Sequence, residues 1–278
     1  MNNNAIDPVM IVKLGGSLIT NKSKPFSLRK KVIKNAISEI IESKKKVMIV
    51  HGGGSFGHPI AKKYNINFGR DPSVPNQIFG LAKTHSVMTE LNKFIVDEFI
   101  KRQISAISIQ PSSIFINHPE KGIIFNFESV KLSLELGMIP VLYGDIMFSS
   151  ESNFSILSGD TIILKICEKT EQLNISKVVF TMETDGLYIE DQDTGEIELA
   201  SEVNYHQIDT IQLANLGGKI DITGGIRIKL NNIKEIMKLG IPIQLINGLI
   251  ENNIERALNN KSVKGTYFFP PNHKSNSF

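Results

Sequence analysis

The sequence predicts an α/β protein, a mainly parallel sheet covered by helices, and three observations carry that prediction. Short apolar runs at 9–14 (VMIVKL) and 47–50 (VMIV) have the length and continuity of strands buried on both faces. Between them, residues 28–43 place Val32, Ile33, Ala36, Ile37, Ile40 and Ile41 at helical spacing. Strand, helix and strand in that order favour a parallel pairing, and the same alternation recurs along the chain.

Taken in order, a long helix is predicted over 77–102, then a strand over 106–109. A helix over 128–136 precedes a strand over 139–143, and 146–156 reads as a polar-tipped hairpin around SSESN. A helix begins near Gly159. A strand over 177–181, a helix over 225–239 and a strand over 241–246 follow, and KGTYFFP near the C-terminus supplies a last strand. No solenoid repeat, low-complexity segment or long linker interrupts the pattern. The expectation is one α/β unit over 1–278 with two lobes meeting near residue 165.

Composition narrows the classes of function. The 278 residues are 41% hydrophobic and 21% charged, with a net charge of +3, so nothing demands a nucleic-acid partner. The single cysteine, Cys167, lies in the apolar run TIILKIC and reads as buried and structural. No run approaches the ~18 apolar residues of a membrane span. The N-terminal MNNNAIDP lacks a basic and apolar signal pattern, and a cytoplasmic enzyme or binding protein is the broad expectation.

Four glycine-bearing stretches stand where strands end: KLGGS (13–17), HGGGSFGH (51–58), YGD (143–145) and TDGLY (184–188). Ligands of open α/β sheets bind beyond the carboxyl ends of strands, and glycine there lets backbone N–H groups approach an anion. Neither G-x-x-x-x-G-K-[ST] nor G-x-G-x-x-G is present, so this is not a P-loop or dinucleotide fingerprint. Each stretch taken alone is equally well a plain turn. Lysines stand nearby. A strand lysine ordinarily faces solvent, yet Lys13 has apolar neighbours and precedes a glycine pair. Lys22 follows nine residues later, and Lys229 lies just inside a helix in TGGIRIKL. Three lysines beside glycine turns suit the charge of a transferring phosphoryl group. Asp160, in SGD at a helix start, is either an N-cap carboxylate or the group that holds two of those lysines.

KLGGSLITNK, HGGGSFGHP, SGDT, TDGLY and DITGGIRIK, in this order, resemble the amino acid kinase superfamily and, within it, the isopentenyl phosphate kinases. The match runs from about Val9 to Phe269, and the second histidine of HGGGSFGH is its most discriminating part. The resemblance implies an open three-layer αβα sandwich, with an N-terminal lobe (about 1–165) for the phosphate acceptor and a C-terminal lobe (about 166–278) for ATP. It implies ATP-dependent phosphorylation of isopentenyl phosphate, with Mg2+ held mainly by phosphate oxygens, and a homodimer. Carried over by position, Lys13, Gly15, Gly16 and Ser17 match the first phosphate loop and Lys22 the transition-state lysine. Gly53, His58 and Gly159 match substrate contacts, and Gly54 an ATP contact. Asp160 matches the organising aspartate, and Asp185, Gly186, Gly225 and Lys229 match the nucleotide side. Glu183 departs from a family pattern that often has Asp there.

A monophosphate has a second pKa of ~6, so its oxygen is already anionic near neutral pH and needs no general base. His58 therefore reads as a donor to the acceptor's phosphate, the alternative being a structural histidine. His51, His85 and His118 read as structural or surface residues. Ile78, Leu81, Ala82, Met88, Leu91 and Ile95, with Phe79 and Phe94, form a stripe that is ordinarily helix core, part of which is expected to line a pocket for the acceptor's apolar tail. Rival readings are a fosfomycin or nucleoside monophosphate kinase of the same fold, or a nucleotide-binding sensor that has lost catalysis.

Overall fold

Strand β1 (Val9–Leu14) lies at the middle of the molecule because all six of its residues are apolar or buried on both faces. The structure is a computed structural model, and it describes residues 7–151, 153–191, 194–214 and 225–271. After β1 comes one helical turn, α1 (Gly16–Ile19), then α2 (Lys30–Glu42), β2 (Val47–His51), α3 (Gly54–Lys63) and the long α4 (Gln77–Ile100). Next are β3 (Ala106–Ser108), α5 (Pro111–Ile114), β4 (Phe115–His118), β5 (Gly122–Phe125), α6 (Glu128–Glu135) and β6 (Ile139–Tyr143). The hairpin β7 (Asp145–Ser149) and β8 (Asn153–Leu157) leads to α7 (Gly159–Cys167) and β9 (Ile175–Met182). Short strands β10 (Tyr188–Glu190), β11 (Ile197–Leu199) and β12 (Glu202–Asn204) precede α8 (Gly225–Lys238), β13 (Ile243–Asn247), α9 (Asn253–Leu258) and β14 (Gly265–Phe269).

Eight strands form the main sheet in the order β12-β14-β13-β9-β1-β2-β6-β3. Every pairing in it is parallel except β13 with β14. Helices cover both faces, because strand residues alternate between them. Val9, Ile11, Val50 and Phe180 pack with Ile162 and Ile163 of α7 and Leu230 and Ile233 of α8. Met10, Val12, Leu14 and Val179 pack with Ile37 of α2, Leu91 of α4 and Ala257 of α9. The α/β class and mainly parallel sheet expected from the sequence are therefore present.

Several elements depart from expectation. A second, four-stranded sheet in the order β5-β4-β7-β8 includes two strands, β4 and β5, that the sequence pattern did not indicate. Strands β10 to β12 and the turn α1 were also not foreseen. In α4, Leu81, Met88, Leu91 and Ile95 are core residues as the stripe predicts, but Ile78 and Phe79 are largely exposed and Ala82 faces outward. The buried polar residues Asn92 and Glu98 share the inner face.

Candidate functional site

The alternation of β1 decides where Lys13 points. It shares a face with Val9 and Ile11, which is the face covered by α7 and α8. There its Nζ lies 2.5 Å from Asp160 Oδ1, and Lys229 Nζ lies 3.0 Å from the same oxygen. Both ammonium groups also stand over the Phe180 ring, at 5.7 and 4.7 Å from its centroid. One carboxylate between two cations accounts for the charges of the cluster. Burial lowers the Lys13 ammonium to about 8, against the opposing pull of Asp160. Burial alone would raise the Asp160 carboxyl, but the two ammonium groups outweigh it and hold the carboxyl well below the usual range. The N-cap alternative for Asp160 does not hold: Ser158 caps α7 by accepting from the Thr161 N–H at 3.1 Å.

Two glycine loops meet beside this cluster. Gly15 and Gly16 follow β1, and Gly52 to Gly54 follow β2, with the Gly52 N–H donating to Leu14 O at 3.0 Å. A Cβ on Gly16 would collide with the Gly54 backbone, and one on Gly52 would stand 2.8 Å from Gly16 N. Gly54 has φ of +48°, a conformation glycine adopts without steric cost. These residues are glycine because two backbones touch, which leaves N–H groups uncovered by side chains. Gly53 has a packing reason as well, since Met88 Sδ of α4 would lie 2.9 Å from its Cβ. Gly159 sits against the Lys13 side chain, and Gly186 against Thr266. Ser17 lies within α1.

His58 belongs to α3 and is exposed, one turn beyond Gly54. Lys22 occupies an exposed turn and makes no ion pair among the described residues, so Asp160 organises two of the three expected lysines. Asp185 joins three loops: its carboxylate pairs with Lys264 at 2.7 Å, accepts from Asn247 Nδ2 at 3.0 Å and from the Tyr188 hydroxyl at 3.4 Å. Gly225 opens α8, while the DITG before it (221–224) lies outside the described residues.

His51 and His85 are held by buried side chains. His51 is fully buried, which lowers its imidazole to about 4 and keeps it neutral. Its Nδ1 lies 3.1 Å from Gly52 O and its Nε2 3.2 Å from Asn92 Nδ2, which fixes the proton on Nδ1. His85 Nδ1 bonds Asp145 Oδ1 at 2.9 Å, and the same carboxylate accepts from the Ser112 N–H at 3.2 Å. The His85–Asp145 pair was not foreseen. The partners are 60 residues apart, and His85 is expected from the sequence only as a structural or surface residue. Cys167 is buried and its thiol is pushed up by burial, as a structural cysteine should be.

The amino acid kinase family model matches residues 8–247. The chain belongs to the amino acid kinase family. Among similar proteins, isopentenyl phosphate kinase of Methanothermobacter thermautotrophicus is 31% identical over 93% of this chain and 98% of its own length. Isopentenyl phosphate kinase of Methanocaldococcus jannaschii is 32% identical over 89% and 94%. A solved isopentenyl phosphate kinase structure superimposes with a TM-score of 0.78 at 28% identity, covering 93% of this chain and 99% of that one. The fold and phosphotransferase class expected from the sequence are thus those of the relatives.

Proposed function

We propose that this amino acid kinase family member transfers the γ-phosphoryl group of ATP to isopentenyl phosphate, giving isopentenyl diphosphate and ADP. One observation carries the chemistry: Asp160 holds two ammonium groups beside two glycine loops in backbone contact at the ends of β1 and β2. The substrate follows from the similar kinases of isopentenyl phosphate and from His58 standing one turn after the second glycine loop. The rival acceptors, fosfomycin and nucleoside monophosphates, are not favoured by those relatives.

In this reading an oxygen of the acceptor's phosphate attacks the γ-phosphorus, and the bond from that phosphorus to the β-phosphate oxygen breaks. The acceptor oxygen is already anionic, so no side chain removes a proton. His58 donates to the acceptor's phosphate and orients it. Backbone N–H groups at Gly16, Gly53 and Gly54 approach phosphate oxygens, while the Gly15 N–H donates to Thr181 O at 3.2 Å and holds the first loop against β9. Lys13, Lys22 and Lys229 stabilise charge that spreads over the transferring group, and Asp160 fixes two of them in place beforehand. Gly159 lies on the acceptor side, and Ser17, Asp185, Gly186 and Gly225 on the nucleotide side. The acceptor's apolar tail packs toward the small cluster of Ala61, Ile66, Leu81, Ile146 and Phe154, between α3, α4 and the β7–β8 hairpin.

Magnesium accompanies ATP in this proposal. No group of three His, Cys, Asp or Glu suited to a metal ion occurs among the described residues, and Asp160 is occupied by lysines. In this reading phosphate oxygens and water would be its main ligands. Residues up to about 165 serve the acceptor and those from about 166 serve ATP. A homodimer and a cytoplasmic location are proposed on the family resemblance, and light scattering tests the first. No helix among the described residues is long and apolar enough to cross a membrane.

The test is ADP release with ATP and Mg2+ over isopentenyl phosphate, dimethylallyl phosphate, fosfomycin and UMP. Turnover is expected to be best with isopentenyl phosphate. Far better turnover of UMP or fosfomycin overturns the substrate while leaving the fold standing.

A further inference from the structure

Arg29 stands directly before α2, at the end of the segment that carries Lys22. Its Nη1 lies 2.6 Å from Oε1 of Glu183, just beyond the end of β9, and both side chains are partly buried. The rest of the segment is tied elsewhere, to the first turn of α3. The Phe26 N–H donates to Ser55 O at 3.1 Å, and the Ser27 N–H to Ser55 Oγ at 3.4 Å. The Phe26 ring meets Phe56 edge-on at 5.8 Å, and the Ser55 N–H donates to Thr20 Oγ1 at 2.9 Å. The Arg29 backbone N–H closes the segment on Ile19 O at 2.9 Å. The Lys22 turn thus hangs between two anchors. One is the second glycine loop, and the other is the strand end that leads into the Asp185 loop.

We propose that the Arg29–Glu183 ion pair is a clasp that sets the Lys22 turn against the β9 strand end, making both residues positioning residues for phosphoryl transfer. The proposal rests on the reading above, in which Lys22 acts during transfer. A partly exposed ion pair adds little to global stability. Position is a different matter, because a displacement of about 1 Å in a reacting group can cost ~10²-fold in rate. The Phe26 and Ser55 contacts hold the turn from one side only. The Asn21 N–H donates to Ser27 O at 2.9 Å and a Thr20–Leu28 bridge closes the two arms of the turn on each other, so the clasp ties that closed turn as a unit to the end of β9. Among the described residues Lys22 makes no ion pair that would fix its ammonium. Its placement depends on the backbone of the turn, and the clasp controls that backbone from its far end.

The experiment compares R29A, E183Q and R29A/E183Q with wild type and K22A, using isopentenyl phosphate and ATP. For each protein kcat, both KM values and Tm are measured. R29A and E183Q are expected to lower kcat by about 5- to 20-fold while each KM stays within about three-fold, the signature of lost transition-state interaction. Tm is expected to stay within about 2 °C, since the pair is partly exposed. The double variant is expected to be no slower than the slower single variant, because both changes break one clasp. Losses that multiply in the double variant overturn the proposal. So does a KM for ATP raised in E183Q and not in R29A, which would place Glu183 on the nucleotide. Single variants within about two-fold of wild type, beside an impaired K22A, overturn the clasp alone. An undiminished kcat in K22A overturns the role of Lys22 instead, so the two failures are told apart.

Discussion

Lys13 and Lys177 sit on neighbouring strands, both buried, and burial lowers both ammonium groups to about 8. Their surroundings differ. Lys13 stands at the carboxyl end of β1, on the α7 and α8 face, with a carboxylate partner and a second lysine on that partner. Lys177 stands toward the start of β9 on the opposite face. Its Nζ donates to Ala257 O at 2.9 Å and to Asn260 Oδ1 at 3.2 Å, which closes the C-terminal end of α9. A cation there meets the negative end of the helix. Two equally perturbed lysines therefore have different uses. Burial depresses the pKa of each, but only Lys13 shares its carboxylate and its edge of the sheet with glycine loops that can receive an anion. A depressed pKa marks burial, and the partners and the sheet edge mark the site.

The sharpest way to break this comparison is to remove each charge. Lys13→Met should lower kcat by ~10²–10³, as for one removed oxyanion donor, with little change in Tm. Lys177→Met should leave kcat near wild type and lower Tm by about 2–4 °C, since it strips the Ala257 carbonyl of its donor. Steady-state kinetics and thermal melts on both variants decide it. Loss of kcat in Lys177→Met with an unchanged Tm would erase the distinction drawn here.

The second prediction concerns the acceptor side of the cluster. Losing a hydrogen bond to a charged group costs ~1.5–3 kcal/mol, or roughly ten- to a hundred-fold. His58→Ala should therefore lose about that much on the monophosphate side, with KM for ATP little changed. His58→Asn should keep partial activity, because an amide N–H still donates. Equal inactivity of two well-folded variants would mean that His58 accepts a proton, and a lowered Tm with normal kinetics would mean that it is structural.

Much of the Lys13 region was legible in the sequence, and little of the Lys177 region was. Lys13 interrupts an apolar run directly before a glycine pair, and Asp160 opens a helix after SG. The signal is local in both cases, and the alternation of β1 then fixes the face. Lys177 also lies in an apolar run, but its partners at Ala257 and Asn260 are 80 and 83 residues away and carry no motif. The same reason hid Arg29–Glu183 and His85–Asp145, since an ion pair across the fold leaves no periodicity. Strands β4 and β5 escaped because they are four residues each and only Phe115 among them is fully buried, with β5 alternating between exposed and intermediate positions. The glycines were seen, but their reason was only half seen. Backbone contact between two loops explains Gly16 and Gly54, and Met88 explains Gly53.

A third prediction uses pH to separate free from occupied Lys13. The ammonium must be charged to act on phosphate, and it loses its proton near 8 in the free protein. The kcat/KM for ATP should therefore fall by roughly ten-fold per pH unit above about 8. Bound phosphate groups favour the charged form, so kcat at saturation should hold to higher pH. Profiles of both quantities from pH 7 to about 10 check this. A flat kcat/KM across that range would mean that Lys13 keeps its proton in the free protein, or that its charge is not needed.

The smallest effect is on stability, and its sign separates the lysines again. In the folded chain Lys177 releases its proton near 8, while an unfolded lysine holds it to 10.5. Between those values the unfolded state binds more protons, so the Lys177 contribution to folding stability rises with pH. Below about 8 both states are charged and the cost of burying the ammonium is fully present. Above 10.5 both are neutral and that cost is gone. The whole change is at most about 3.5 kcal/mol, from ~1.4 kcal/mol per pKa unit. Urea unfolding at several pH values, for wild type and Lys177→Met, isolates it. Cys167 and Lys13 titrate in both proteins and cancel in the difference, and because the Tyr267 ring lies 5.9 Å from Lys177 Nζ the comparison is made with Tyr267→Phe in both proteins. The wild type should gain stability on the variant as pH rises from about 8 to 10, and a constant difference would mean that Lys177 keeps its charge while buried. Saturating ATP should leave this difference unchanged, because Lys177 lies on the far face of the sheet from the Lys13 cluster. If ATP does change it, the two buried lysines are coupled through the sheet, and their separation into one catalytic and one structural cation does not hold.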